Sequence, residues 1–301
     1  MQERIPFSGN PLDRASNLRR DEAWIYDQLG AQQSRYLAFW RLNVLVREAE
    51  QTELHWLDAS VRDHLPFDAT PFLLGVQEGV AHFAVDLSDL TDPISICGIE
   101  GADFTDARRI AASLPGGDAG ILAQGRALLE WHARHRYCGT CGAPTEVGGG
   151  GSMRRCTSCA AEHFPSPHPV VIMVVWNGDR CLLGRGKGWA PGRYSALAGF
   201  IDQGETIEEA VAREVKEEVG LDVDEVTYQS SQPWPFPMSL MIGCFAHVTD
   251  ESFTVDPEEL EEARWFSRDE ILRAYESPES VDFGIPGRIA IAHHIIKAWS
   301  Q

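Results

Sequence analysis

Residues 199–221 read GFIDQGETIEEAVAREVKEEVGL, and this stretch decides how the second half of the chain folds. Thr206 and Glu209 have the spacing of a capping box, in which each side chain satisfies the other's free amide. Gly220 suits the left-handed residue that ends a helix. The spacing therefore predicts a helix over 207–219. Ile207, Ala210, Val211, Val215 and Val219 form its apolar stripe. Glu214 and Glu218 are neighbours at i and i+4, and Glu217 lies three residues from Glu214. Three carboxylates so close repel one another unless cations sit between them. A solvated acidic face is the plain alternative. Against it, Arg213 is interleaved among the acids, and Gly199 and Gly204 frame a loop rather than a simple helix entry.

Working outward, "PVVIMVVW" at 169–176 is β-branched and apolar throughout, which reads as a buried strand. "NGD" at 177–179 is a tight-turn signal before the return strand "CLLGR". "GRYSALAGF" and "SLMIGCFAHVT" read as further strands, and "SRDEILRAYES" and "GRIAIAHHIIKAW" as closing helices. Helices around a mixed sheet make residues 168–301 an α/β or α+β domain of ordinary size. Upstream, "ILAQGRALLEWHARHRYC" has helical spacing and runs into a cysteine pair. "PFLLGV", "HFAVDL" and the helically spaced "TDARRIAASL" suggest a mixed α/β domain over 1–125, with no chemical motif.

Cys138, Cys141, Cys156 and Cys159 follow the pattern C-x2-C-x14-C-x2-C. Two such pairs present four thiolates to one tetrahedral Zn2+, leaving no open position, so the metal is structural. A helix and zinc ribbon are expected over 126–167, with the glycine run "GGGGS" at 148–152 as a flexible tip between the pairs. Cys97, Cys181 and Cys244 sit in apolar surroundings and read as core residues.

The 301 residues carry a formal charge of −19, which argues against non-specific binding to nucleic acid or anionic membranes. The longest apolar run is too short to span a bilayer. No secretory h-region stands at the N-terminus, so a reduced, cytoplasmic protein is expected.

Residues 231–239 read SQPWPFPMS. Three alternating prolines rule out a helix and a central strand, which predicts a rigid loop displaying Trp234 and Phe236.

Two resemblances attach to these residues. Gly199, Glu205, Arg213, Glu214, Val215, Glu217, Glu218, Gly220 and Leu221 fill every defined place of the Nudix box, G-x5-E-x7-R-E-U-x-E-E-x-G-U. SQPWPFPMS matches the signature of the NADH pyrophosphatase branch, which also carries a four-cysteine zinc motif ahead of its Nudix domain. The resemblance spans the zinc motif to the C-terminus. It implies a Nudix αβα sandwich and hydrolysis of NAD(H) to NMN(H) and AMP with Mg2+ or Mn2+. By the same resemblance Glu214 and Glu218 are metal ligands, and Glu217 is a further ligand or base. The carbonyl of Ala198 and Glu259 complete the cage, with Glu262 as second choice. Gln232, Pro233, Trp234, Pro235, Phe236, Pro237, Met238 and Ser239 belong to the substrate site. Phe200 is placed to stack on the nicotinamide and Phe164 on its other face, from a partner subunit of a homodimer. Ala292 lines the same pocket.

Two rival readings stay open. One is removal of NAD caps from RNA 5′ ends, to which Arg134, Arg136, Arg154 and Arg155 near the zinc motif lend charge. The other is a non-catalytic NAD-sensing module, against which the intact box counts.

Overall fold

The computed structural model describes residues 4–66 and 69–301. The chain divides into two compact units. One comprises residues 7–167 together with 234–238, and the other the remaining residues. Among the described residues no helix is long and apolar enough to cross a membrane.

The first unit opens with helix α1 (Glu22–Gly30). A seven-stranded sheet follows, made of β1 (Arg35–Trp40), β2 (Asn43–Arg47), β3 (Glu53–Leu54), β4 (Trp56–Leu57), β5 (Phe72–Gln77), β6 (Val80–Asp86) and β7 (Asp103–Thr105). β1 and β6 run parallel and the other pairs antiparallel. Tyr36, Leu45, Leu73 and Phe83 fill its core. The short helices α2 (Pro93–Ile96) and α3 (Ala107–Ile110) precede α4 (Asp118–Arg134), which continues through residue 125. The ribbon strands are β8 (Thr145–Gly148), β9 (Met153–Cys156) and β10 (Glu162–His163).

The glycine run is not a loose tip, contrary to the expectation from composition. Gly149, Gly150 and Gly151 all have positive φ, at 56°, 58° and 94°. A Cβ on Gly150 would come within 2.9 Å of Ile25, and one on Gly151 within 2.8 Å of Phe72. Only glycine combines these dihedrals with so close an approach. Arg19 donates to the carbonyls of Gly149, Gly150 and Leu73, and His132 Nε2 donates to that of Gly151 at 2.9 Å.

His132 stacks on Phe72 with ring centroids 3.9 Å apart, and its Nδ1 accepts from Arg154 at 3.2 Å. One nitrogen donates and the other accepts, which describes a neutral imidazole. Burial, the largest influence, pushes its pKa from 6.5 down to about 4. The unfolded chain therefore takes up a proton between those values that the folded chain refuses. This contribution is complete above pH 6.5 and is lost as pH falls towards 4, roughly 3 kcal/mol in all. Urea unfolding at pH 7.5 and pH 5 should show a smaller loss for His132→Gln than for the unaltered chain. Equal losses would mean that His132 is already charged in the fold.

The second unit contains β11 (His168–Asn177), β12 (Arg180–Gly186), β13 (Leu197–Phe200), α5 (Ile207–Val219), β14 (Val223–Trp234), β15 (Ser239–Val248), β16 (Leu260–Ser267), α6 (Arg268–Glu276) and α7 (Ile291–Ser300). The sheet order is β14-β15-β11-β12-β16, with β13 paired to β11. β11 and β15 are parallel, whereas β13, β12 and β16 pair antiparallel. Alternation along β11 sends Val171, Met173 and Val175 to the α5 face and Ile172 and Val174 to the face covered by α6 and α7. This is why "VVIMVVW" is apolar at every position. "GRYSALAGF" is extended as a named strand only over Leu197–Phe200.

The signature segment also departs from expectation. β14 extends through Ser231, Gln232 and Pro233 to Trp234, so half of the signature is strand. β14 lies at the sheet edge, where a missing proline N–H costs no central ladder bond. Residues 235–238 form the turn into β15, with a cis Phe236–Pro237 bond.

Candidate active site

The helix predicted at 207–219 is α5, with the same bounds. The Thr206–Glu209 capping box is made in both directions, and Gly220 ends the helix at φ 74°. Ala210, Val211, Val215 and Val219 are buried against the sheet. That burial fixes the helix's rotation and turns Glu214 and Glu218 towards β13.

Gly199 on β13 makes room for one of them. A Cβ there would lie 1.8 Å from the Glu214 carboxyl carbon. Carboxylate oxygens of Glu214, Glu218 and Glu259 come within 4.8 Å of one another. Of the two downstream candidates, Glu259 joins this cluster. Glu262 instead faces Arg185 at 3.3 Å and the Tyr194 hydroxyl. Glu259 arrives by a backbone route: the Thr254 amide donates to the Val219 carbonyl and the Asp256 amide to the Glu218 carbonyl, both at 3.0 Å. The two bonds cap the end of α5 and bring the following turn beside it.

Glu218 is 4% exposed, and its Oε2 has no hydrogen-bond partner. Burial, then the neighbouring Glu214 and Glu259, push its pKa up to about 8, while the Ala198 backbone pulls the other way. Burial also raises Glu214, against the pull of Arg213. A buried, unpartnered carboxylate oxygen among carboxylates is costly unless a cation or a proton answers it. An all-oxygen donor set suits a hard divalent ion such as Mg2+ or Mn2+.

Arg213 organises the rim. It reaches Glu205 with two bonds of 2.6 and 2.8 Å, the Phe200 carbonyl at 2.8 Å, Glu214 at 2.8 Å and Glu217 at 2.9 Å. The bidentate pair, followed by the Asp202 amide, holds the Glu205 carboxyl down at about 2. Glu217 is half-exposed and stands outside the three-carboxylate cluster.

The remaining expected site residues have varied surroundings. The Phe164 and Phe200 rings are exposed at 57% and 59%. Gln232 is fully buried: its Nε2 donates to the Pro6 and Ile289 carbonyls, and its Oε1 accepts from the Ile291 amide. Its amide thus braces the start of α7. Ala292 is buried in the core on that face of the sheet. Pro233 is exposed, Pro235 and Met238 are buried, and Pro237 and Ser239 are half-buried.

Trp234 and Phe236 are partly buried rather than openly displayed. Both rings meet Phe7 edge-on, at 5.9 and 5.7 Å. Arg108 and Arg126 lie 3.7 and 4.5 Å from the centre of the Phe236 ring, and Arg126 also donates to the Pro235 carbonyl. These cation–π contacts leave no trace in sequence periodicity.

In the ribbon, the Cys138–Cys159 and Cys141–Cys156 sulfurs are 3.7 and 3.4 Å apart, and all four lie within 4.8 Å of one another. A tetrahedral ion with bonds near 2.3 Å needs edges of about 3.8 Å. Amides of Thr140, Ser158 and Cys159 point at the sulfurs of Cys138 and Cys156 at 3.4 Å. Four thiolates and no carboxylate fit zinc. Elemental analysis should give about one zinc per chain, and its removal should unfold the ribbon. A folded, zinc-free protein would refute this.

A family model for the NUDIX domain matches residues 166–283. Models for the NADH pyrophosphatase-like rudimentary NUDIX domain and the NADH pyrophosphatase zinc ribbon domain match residues 33–131 and 133–164. The chain is 36% identical to the NAD-capped RNA hydrolase NUDT12 of Macaca fascicularis, over 97% of this chain and 72% of that protein. It is 43% identical to the mitochondrial NAD(P)H pyrophosphatase NUDT13 of Mus musculus, over 67% and 60%. It is 35% identical to the NAD-capped RNA hydrolase NudC of Stutzerimonas stutzeri, over 74% and 77%.

Proposed function

The chain belongs to the Nudix hydrolase family, in the branch that carries an NADH pyrophosphatase-like domain and zinc ribbon, and from that premise we propose that it hydrolyses NAD(H) to NMN(H) and AMP. The observation that carries the reading is the Glu214–Glu218–Glu259 cluster with the unpartnered Glu218 Oε2. These three residues, with the Ala198 carbonyl, would hold Mg2+ or Mn2+. Such ions, when bound, offset developing phosphoryl charge and make water a stronger nucleophile. Arg213 orients Glu214 and Glu217. Glu217, held through Oε2, keeps its other oxygen for a cation or for the proton of an attacking water. The Phe200 ring is exposed and can stack on a flat base. Gln232 holds α7, and so Ala292, in place. Trp234, Phe236 and their prolines keep the hairpin tip rigid, which lowers the ordering cost of binding.

Removal of NAD caps from RNA is the second reading, supported as strongly by the names of the relatives. Rates on NADH, NAD, ADP-ribose and NAD-capped RNA, with Mg2+ and with Mn2+, would rank the substrates. Preference for ADP-ribose over every nicotinamide substrate would overturn both readings. A cytoplasmic homodimer remains part of the proposal on family resemblance. Light scattering that finds a fully active monomer would remove the dimer and leave the chemistry.

A further inference from the structure

Glu259 is the weak point of the cluster. Glu214 and Glu218 are set by a buried helix, whereas Glu259 is an exposed residue on a turn. Ordering a free glutamate side chain costs rotamer entropy, and an unheld turn adds backbone entropy to that. Just after Glu259, β16 enters the sheet irregularly. Arg185 pairs with Glu262, but Gly186 pairs with Leu260, so Glu261 is an extra residue bulged out of the β12–β16 ladder. Bulges of this kind re-aim the neighbouring side chains.

The bulge is held from β12. The Arg185 side chain is 14% exposed; it donates to Glu261, to Glu262 at 3.3 Å and to the Trp189 carbonyl at 3.4 Å. The Gly188 amide donates to the other Glu261 oxygen at 3.0 Å, and Lys187 reaches Glu258 at 3.2 Å. Glu258 and Glu261 are thus tied down on either side of Glu259.

We propose that Arg185 is a positioning residue for metal binding: by locking Glu261 in the bulge, it aims the Glu259 carboxylate at Glu214 and Glu218. The proposal rests on reading those three carboxylates as the divalent-cation site. Arg185 pairs with Glu261 and Glu262 and with none of the three clustered carboxylates, so its loss is expected to act on cation affinity.

The test is Mn2+ binding by electron paramagnetic resonance, alongside Mg2+ activation of NADH hydrolysis. Arg185→Ala is expected to weaken Mn2+ binding and raise the Mg2+ half-saturation by about 5–10-fold. Maximal rate at saturating Mg2+ should stay within about threefold, and KM for NADH should not change. Arg185→Lys should rescue only in part, since one ammonium cannot hold both glutamates in the same fork. Glu261→Gln should give the same signature more weakly, and it tests the bulge should Arg185→Ala fail to fold. In a Glu259→Gln background, Arg185→Ala should add nothing further. Unchanged Mn2+ affinity in folded Arg185→Ala or Glu261→Gln, or full additivity with Glu259→Gln, overturns the inference. If the unaltered protein itself binds no Mn2+, the metal-site reading fails instead.

Discussion

Glu218→Gln is expected to reduce NADH hydrolysis by about 10³-fold or more at saturating Mg2+, the several kcal/mol that a correctly held cation lends to phosphoryl transfer. Its folding stability should move in the opposite direction. In the metal-free protein, burial and then Glu214 raise the Glu218 pKa from 4.5 to about 8. Between those values the folded chain holds a proton that the unfolded chain has released. Stability from this group is full below pH 4.5 and declines as pH rises through 8, by a few kcal/mol at most. Glutamine is neutral throughout. Without added Mg2+, melting of the unaltered protein should fall from pH 6 to pH 8.5 by more than that of Glu218→Gln. Added Mg2+ should restore the unaltered protein and leave the variant unmoved. A variant with near-normal turnover would remove Glu218 from the site altogether.

Gly199→Ala is expected to be nearly as damaging, although it removes no functional group. The new methyl would sit 1.8–2.0 Å from the Glu214 carboxylate. The carboxylate must then leave the cluster or β13 must shift. A displacement of about 1 Å in a catalytic group costs on the order of 10²-fold in rate. Gly204→Ala is the control. Gly204 has φ 94°, but a methyl added there would meet nothing within 4 Å, so the substitution brings backbone strain alone. It should lose some stability and little activity. Equal losses of kcat in the two variants would mean that strain in the loop, rather than the collision with Glu214, sets the effect.

Much of this site is readable along the chain because its parts are local. The capping box, the apolar stripe and Gly220 bound α5 to the residue, since each depends on neighbours within one or two turns. The four cysteines are equally plain, because ligand spacing is itself the signal. Legibility fails where a residue's role depends on a distant partner. Gln232 reads as a polar group available to a ligand, yet it is enclosed by Pro6, Ile289 and Ile291. Trp234 and Phe236 read as displayed rings, yet Phe7 packs against both from far upstream, and Arg108 and Arg126 cover Phe236. The glycines at 149–151 read as slack, because low complexity looks the same whether a loop swings freely or is pressed against Ile25 and Phe72. Arg185 carries no pattern at all, and only the β12–β16 register exposes its place.

The hairpin tip at 234–238 belongs to the compact unit formed by residues 7–167, although the chain reaches it only after α5. For anyone transplanting this segment between Nudix scaffolds, the portable module is therefore larger than its signature. Grafting SQPWPFPMS alone would carry the letters without Phe7, which meets both Trp234 and Phe236, and without Arg108 and Arg126, which cover Phe236. A recipient would need those three positions as well, and with them the upstream sheet and helix that present them. Nine residues identify the branch on paper, but the packing that shapes their tip draws on positions spread from Phe7 to Arg126.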